Sequence, residues 1–305
     1  SILGSLRLAP IQCVTWGHPE TSGRPTLDYF ITSALMEPAR NQQYYSEHLA
    51  RIDGLTFRYM PSADRAAVVS REELGIPQDA VVFWYQHSIK KLLPEHDDLL
   101  PRIAARVGNC VFLMEREKRD GYQDVIETRL QQAFEHEGLA YRSYCIFLGK
   151  RPERQFRGIM ALSDVYLDSL EWNGCNSTLE ALAFNLPVVT CAGEFCRSRH
   201  GLGFMALMGL QTHVVDCKSA YIDLAVQLAL NPNIRNTFKT EIADRMNIIY
   251  EDTTSPRSME EFVEWAVTGL KTAGRSGPLC DAASLGHTGP CTSDRASEQR
   301  NHGQN

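Results

Sequence analysis

Residues 164–180 read DVYLDSLEWNGCNSTLE, an order of residue types that suits a phosphorylated ligand. An apolar run ends near Asp168, a loop holding Asn173 and Gly174 follows, and small polar residues then open a helix. The amides of Cys175, Asn176 and Ser177 have no carbonyl partner inside such a helix, and a helix start carries partial positive charge. Both features hold phosphate oxygens. Asn176, Ser177 and Thr178 can add side-chain donors. Glu180 lies about one turn beyond Ser177, where its carboxylate can accept from two vicinal hydroxyls of a ribose. The same spacing also fits a plain capping box, with Ser177 or Asn176 as cap and Glu180 reaching back to the backbone. The segment alone leaves both readings open.

Three other stretches carry chemistry. Tyr85-Gln-His-Ser-Ile-Lys-Lys91 follows a strand-like run, so Lys90 or Lys91 can set a charge against a diphosphate and Ser88 can bond a base or phosphate; a solvated loop with surface lysines is the alternative. In Trp16-Gly-His-Pro-Glu-Thr-Ser-Gly23, Gly17 and Gly23 permit close backbone approach to a ligand. His18 is there either a general base or a structural loop histidine. In Gly193-Glu-Phe-Cys-Arg-Ser-Arg199 the arginines either line a phosphate site or pair with neighbouring carboxylates.

The elements that must position these residues alternate. From residue 79 to about 216, short apolar runs at 80–86, 110–114, 144–148, 164–168, 187–191 and 213–215 are predicted as strands. Helix-patterned stretches separate them at 94–107, 120–137, 152–162, 177–184 and 198–208, and two more helices follow at 219–230 and 235–247. That alternation predicts an α/β unit with a parallel sheet covered on both faces, with ligands outside the carboxyl ends of its strands. Residues 1–60 form a separate, smaller piece, with strands at 10–16 and 29–31 and a short helix at 46–52. Residues 61–78 read as a connector in which Ser70 and Glu73 form a capping box. The organisation expected is therefore 1–60, a connector at 61–78, a ligand-binding unit at 79–255, a closing helix at 256–272 started by Ser255-Pro256, and a disordered tail at 273–305.

Composition excludes several classes. The 305 residues are 43% hydrophobic and 22% charged, enough to bury a sizeable core, and the net charge of -6 argues against a nucleic-acid surface. No apolar run reaches the length of a membrane span and no signal peptide opens the chain. The nine cysteines follow no disulfide or zinc spacing, which points to a reducing, cytoplasmic setting and to no bound metal. The start without Met reads as a piece of a longer or processed protein.

Taken in order, these segments resemble glycosyltransferase family 41, the O-GlcNAc transferase family, in its bacterial form. The family's opening motif stands here as Ala9-Pro-Ile-Gln and Trp16-Gly-His-Pro-Glu-Thr-Ser-Gly23, followed by Asp28-Tyr29 and Tyr45-Ser-Glu47. Residues 164–168, Asn173-Gly174, Leu186-Pro-Val-Val-Thr190, Gly193-Glu194 with Ser198-Arg199, and Thr254-Ser-Pro256 follow in family order, so the match runs from about residue 7 to about residue 270. The resemblance implies a GT-B type α/β fold, with a complete C-terminal Rossmann-like lobe and a partial N-terminal lobe. It implies that the lobe over 79–255 binds a UDP-sugar, UDP-GlcNAc, through Lys91, Ser88, Cys175, Asn176, Ser177 and Glu180, with Gly17 and Trp16 approaching the sugar from the other lobe. It also implies transfer with inversion to Ser or Thr of a protein acceptor, no cofactor and no metal, and an upstream TPR-containing region that guides acceptors.

The chain departs from the family's His-Thr-Thr at Cys175-Asn176-Ser177, from its Asp at Glu180 and from its Gln at Ser88. A family lysine falls at Glu153, near Lys150 and Arg151. The family's His-bearing active-site segment has no counterpart, and no catalytic base is named in this chain. Two other readings compete: a non-catalytic nucleotide-binding or interaction module derived from this fold, and a UDP-sugar epimerase.

Overall fold

A computed structural model describes residues 2–116 and 121–272; the tail expected at 273–305 lies outside the described residues. Six parallel strands form the main sheet: β4 (Val81–Tyr85), β5 (Cys110–Glu115), β6 (Cys145–Leu148), β7 (Val165–Leu167), β8 (Val188–Cys191) and β9 (Val214–Val215). Their order is β6-β5-β4-β7-β8-β9, so the chain winds outward from β4 to one edge and then outward from β7 to the other. That is the doubly wound arrangement the alternating runs predict.

The period-two geometry of the strands divides the core in two. Val82, Trp84, Val111, Leu113, Tyr166 and Val188 face one side. They pack on α3 (Glu153–Leu162), α4 (Asn176–Ala183), α5 (His200–Leu207) and α7 (Pro232–Tyr250). Phe83, Tyr85, Phe112, Met114, Val165 and Val189 face the other. There α1 (Leu99–Val107), α2 (Tyr122–His136) and α6 (Lys218–Leu230) cover them. With helices on both faces, the central strands are apolar throughout, which is why they read as continuous runs in the sequence.

The N-terminal piece is a three-stranded parallel sheet, β1 (Cys13–Thr15), β2 (Tyr29–Ser33) and β3 (His48–Ile52), in that order. The helix expected at 46–52 is therefore corrected to a strand. Leu49 packs into the core shared with the main unit, whereas Ala50 and Ile52 turn to Phe262 and Ala266 of α8 (Thr254–Thr272). Five residues with two faces to cover and a neighbour in register at Tyr29 favour the extended form over one turn of helix. Ser255 does not cap α8 either. The helix starts at Thr254, and the Ser255 hydroxyl donates to Asp252 (2.6 Å) and accepts from the Leu55 amide (2.7 Å), tying the closing helix to the N-terminal sheet. The reciprocal bonds between Ser70 and Glu73 do form, at 3.1 and 3.4 Å, around the short turn Glu72–Leu74. Among the described residues no helix is long and apolar enough to cross a membrane.

Candidate functional site

β4 and β7 lie side by side at the point where the winding reverses. Loops leaving their carboxyl ends diverge, and a crevice opens between them. The loop after β4 brings Lys91, and the loop after β7 brings residues 168–175 and the start of α4. The Lys91 ammonium donates to the Asn173 carbonyl at 2.7 Å, which joins the two loops across the crevice.

Asp168 sets the shape of the second loop. It is fully buried. Its Oδ1 accepts the amides of Ser169 (3.0 Å) and Gly174 (2.7 Å), and its Oδ2 accepts the Thr190 hydroxyl (3.0 Å). Burial pushes this carboxyl up to about 7, while the Gly174 amide, Lys91 and Thr190 pull it back. Asn173 closes the same turn: its side chain donates to the Ser169 carbonyl (2.7 Å) and accepts the Gly201 amide (3.4 Å). Gly174 is required by packing, because a Cβ there would collide with the hydroxyls of Thr178, Tyr166 and Ser177.

The turn delivers the N-terminus of α4 to the crevice. The N-cap residue, Cys175, makes no side-chain capping bond, and the Ser177 hydroxyl is engaged with Tyr166 Oη at 3.1 Å. The plain capping box is thus not built, and the first amides of α4 are left without a side-chain cap. Burial pushes the Cys175 thiol up to about 11, so it stays protonated at neutral pH. Burial lowers the Lys91 pKa, while Asp168 and Cys175 act in the opposite sense.

The facing wall comes from the N-terminal sheet. Thr15 ends β1, Trp16, Gly17 and Pro19 follow it, and Thr56 and Phe57 follow β3. The Trp16 indole N–H donates to the Thr56 hydroxyl, and its ring lies against Phe57 (centroids 5.5 Å apart) and His200 (4.8 Å). Between the walls is a cleft of about 550 Å³, completed by Lys91, Trp172, Asn173, Cys175, Asn176, Ser177 and His200. A Cβ on Gly17 would meet only the Thr15 hydroxyl, at 3.8 Å, so its missing side chain leaves open space beside the cleft.

Six of the eight residues assigned to the donor thus line one cleft, Trp16, Gly17, Lys91, Cys175, Asn176 and Ser177, and Asn173 lines it with them. Ser88 is exposed and lies outside this lining. Glu180 is also outside it, one turn along α4 and half-buried; burial and Glu153 raise its pKa, and Arg157 opposes them. His18 is exposed away from the lining. His87 is buried, with Nε2 2.6 Å from the Leu167 carbonyl, and burial lowers its pKa to about 4. It props the crevice floor. The arginines of residues 193–199 turn out to fasten the two units. Arg199 donates to the carbonyls of Met36 and Gly193, both at 2.9 Å, and Arg197 lies 3.5 Å from Glu20.

The sequence reading missed His200. A single histidine at a helix start carries no spacing signal, and its neighbours Trp16 and Lys91 lie more than a hundred residues away in the chain.

Comparison with known proteins bears on the family and the fold. The profile described as glycosyl transferase family 41 matches residues 2–59 and 58–248. The probable UDP-N-acetylglucosamine–peptide N-acetylglucosaminyltransferase SPINDLY of Arabidopsis thaliana is 27% identical over 241 residues, covering 79% of this chain and 26% of that protein. The plant's probable transferase of the same description, SEC, is 24% identical over 257 residues, covering 82% and 26%. The chain thus spans about a quarter of the length of the curated relatives it matches. Among solved structures, a mutant of the Thermobaculum terrenum O-GlcNAc transferase superposes with a TM-score of 0.74 at 24% identity, over 88% of this chain and 50% of that one. Sucrose-phosphate synthase from Thermosynechococcus elongatus gives 0.55 at 12%, over 80% and 59%. The α/β architecture is accordingly of the GT-B type.

Proposed function

The chain belongs to glycosyl transferase family 41, and from that premise we propose that its cleft binds a uridine diphosphate sugar, UDP-GlcNAc. The protein passes the sugar to a Ser or Thr hydroxyl of a protein acceptor, and a TPR-containing region upstream selects that acceptor. One observation carries the reading. A cationic side chain, Lys91, and the uncapped start of α4 converge at the switch point of the sheet, in a cleft walled across by Trp16 and Gly17.

Each residue then has a role that its position supports. The diphosphate lies between the Lys91 ammonium and the amides at Asn176 and Ser177. These donors stand ready before the glycosidic bond breaks and so favour the charge that gathers on the leaving diphosphate. Lys91 supplies the positive charge for which other enzymes use a metal, so the proposed reaction is metal-independent. Trp16 and Gly17 face the sugar, where the absent side chain at Gly17 leaves room. Glu180, beyond the lining, takes the ribose end of the donor. The seven cysteines among the described residues are all free, which supports a cytoplasmic setting. An interaction module has no need of a cleft in which a half-buried cation meets a helix start without a side-chain cap.

The test is transfer itself. The full-length natural protein, incubated with UDP-GlcNAc and a peptide library, is expected to add one N-acetylhexosamine to Ser or Thr residues, read by mass spectrometry. Unmodified peptides alongside an epimerised sugar nucleotide would contradict the reading.

A further inference from the structure

We propose that His200 is a ligand of the donor diphosphate, donating a ring N–H to the phosphate that carries the sugar. The proposal rests on the reading of the cleft as a UDP-sugar site.

His200 is the first residue of α5, is only 3% exposed, and lines the cleft. Neither ring nitrogen has a hydrogen-bond partner, although the carbonyls of Asn173 and Gly174 lie close enough to act on its charge. A buried polar group without a partner costs free energy that packing alone does not return, so its persistence calls for a partner that arrives from outside. The imidazole is held neutral, with its pKa lowered to about 4 by burial first and by Lys91 second. A neutral imidazole keeps one N–H, so it donates without adding a second fixed cation beside Lys91.

Two neighbours say where that N–H points. Lys91 is near enough to oppose protonation of the ring, and Lys91 holds the diphosphate in the proposed complex. On the other side the imidazole lies against the Trp16 indole, 4.8 Å between centroids, on the wall that faces the sugar. A group between the diphosphate cation and the sugar wall meets the sugar-linked phosphate rather than the one next to the ribose. The Trp16 N–H is spent on Thr56 and does not compete for the ring.

The test compares UDP, which has that phosphate, with UMP, which lacks it. By titration calorimetry the wild-type chain is expected to prefer UDP. His200→Phe, which fills the site with an apolar ring, should lose about ten-fold or more in UDP affinity and little in UMP affinity, because a hydrogen bond to a charged group is removed. His200→Gln, which keeps a donor, should recover much of the loss. In the unmutated chain the imidazole ¹⁵N resonances should shift on saturation with UDP and not with UMP, a readout that holds whether or not the variants fold. An unchanged UDP-to-UMP ratio in His200→Phe, or ring resonances indifferent to which nucleotide is bound, would overturn the proposal while leaving the donor site intact. A wild-type chain that binds neither nucleotide would overturn the donor site itself, and the role of His200 with it.

Discussion

Replacing Lys91 by Met separates binding from stability. In the free chain the ammonium makes one bond, 2.7 Å to the Asn173 carbonyl, and burial already disfavours its charge. Met keeps the apolar stem, so the loss of that bond is offset in part by removal of a poorly solvated charge. The net change in folding free energy should be within about 1 kcal/mol. The proposed complex differs, because in it the ammonium faces a diphosphate in a partly dry cleft. Truncating one partner of such a pair costs roughly 2–4 kcal/mol, which is roughly a 30- to 1,000-fold loss of UDP affinity. Urea unfolding gives the first quantity and calorimetric titration the second. UDP affinity within three-fold of wild type in Lys91→Met would refute the reasoning. So would a stability loss as large as the affinity loss, because Lys91 would then be a structural tether.

Three further outcomes follow from the same geometry. Gly174→Ala should cost about 1–3 kcal/mol in urea unfolding, because the added Cβ overlaps the hydroxyls of Thr178, Tyr166 and Ser177, and it should also weaken UDP binding by shifting the start of α4. Gly17→Leu should leave the melting temperature within a degree or two of wild type and UDP affinity nearly unchanged, yet lower affinity for UDP-GlcNAc, since the new side chain enters the space beside the sugar; equal loss for both ligands would contradict it. The third concerns pH. The folded-state pKa of His200 is near 4, below its unfolded value, so its neutral form favours folding above about pH 6.5 and that contribution is lost as pH falls toward 4. At pH 5 the loss amounts to about 2 kcal/mol, so the stability difference between pH 7.5 and pH 5 should shrink by about that much in His200→Phe. An undiminished difference would place the ring in contact with water.

How far the sequence could be read depended on where the information lies. The strands of the main sheet were legible because both of their faces are buried, and a segment such as Val81–Tyr85 is apolar at every position. The loop from Asp168 into α4 was legible as a strand-to-helix turn because strand end, Asn-Gly turn and polar helix start are adjacent in sequence. His48–Ile52 was not legible. Its fate is decided by pairing with Tyr29–Ser33 and by α8, two hundred residues away, rather than by its own pattern. The roles of Asp168, as the buried acceptor that shapes the loop, and of Arg199, as a tie between the units, also depend on partners brought in by the fold. His200 belongs with these: its surroundings come from β1, the loop after β4 and the turn before α4, and no single window contains them.

The most direct test of the cleft as a donor site is a crystal structure of the chain soaked with UDP. The account predicts diphosphate density between Lys91 Nζ and the amides of Asn176 and Ser177, with Trp16 across from it. Uridine diphosphate bound elsewhere, or a cleft that stays empty at saturating ligand, would contradict it.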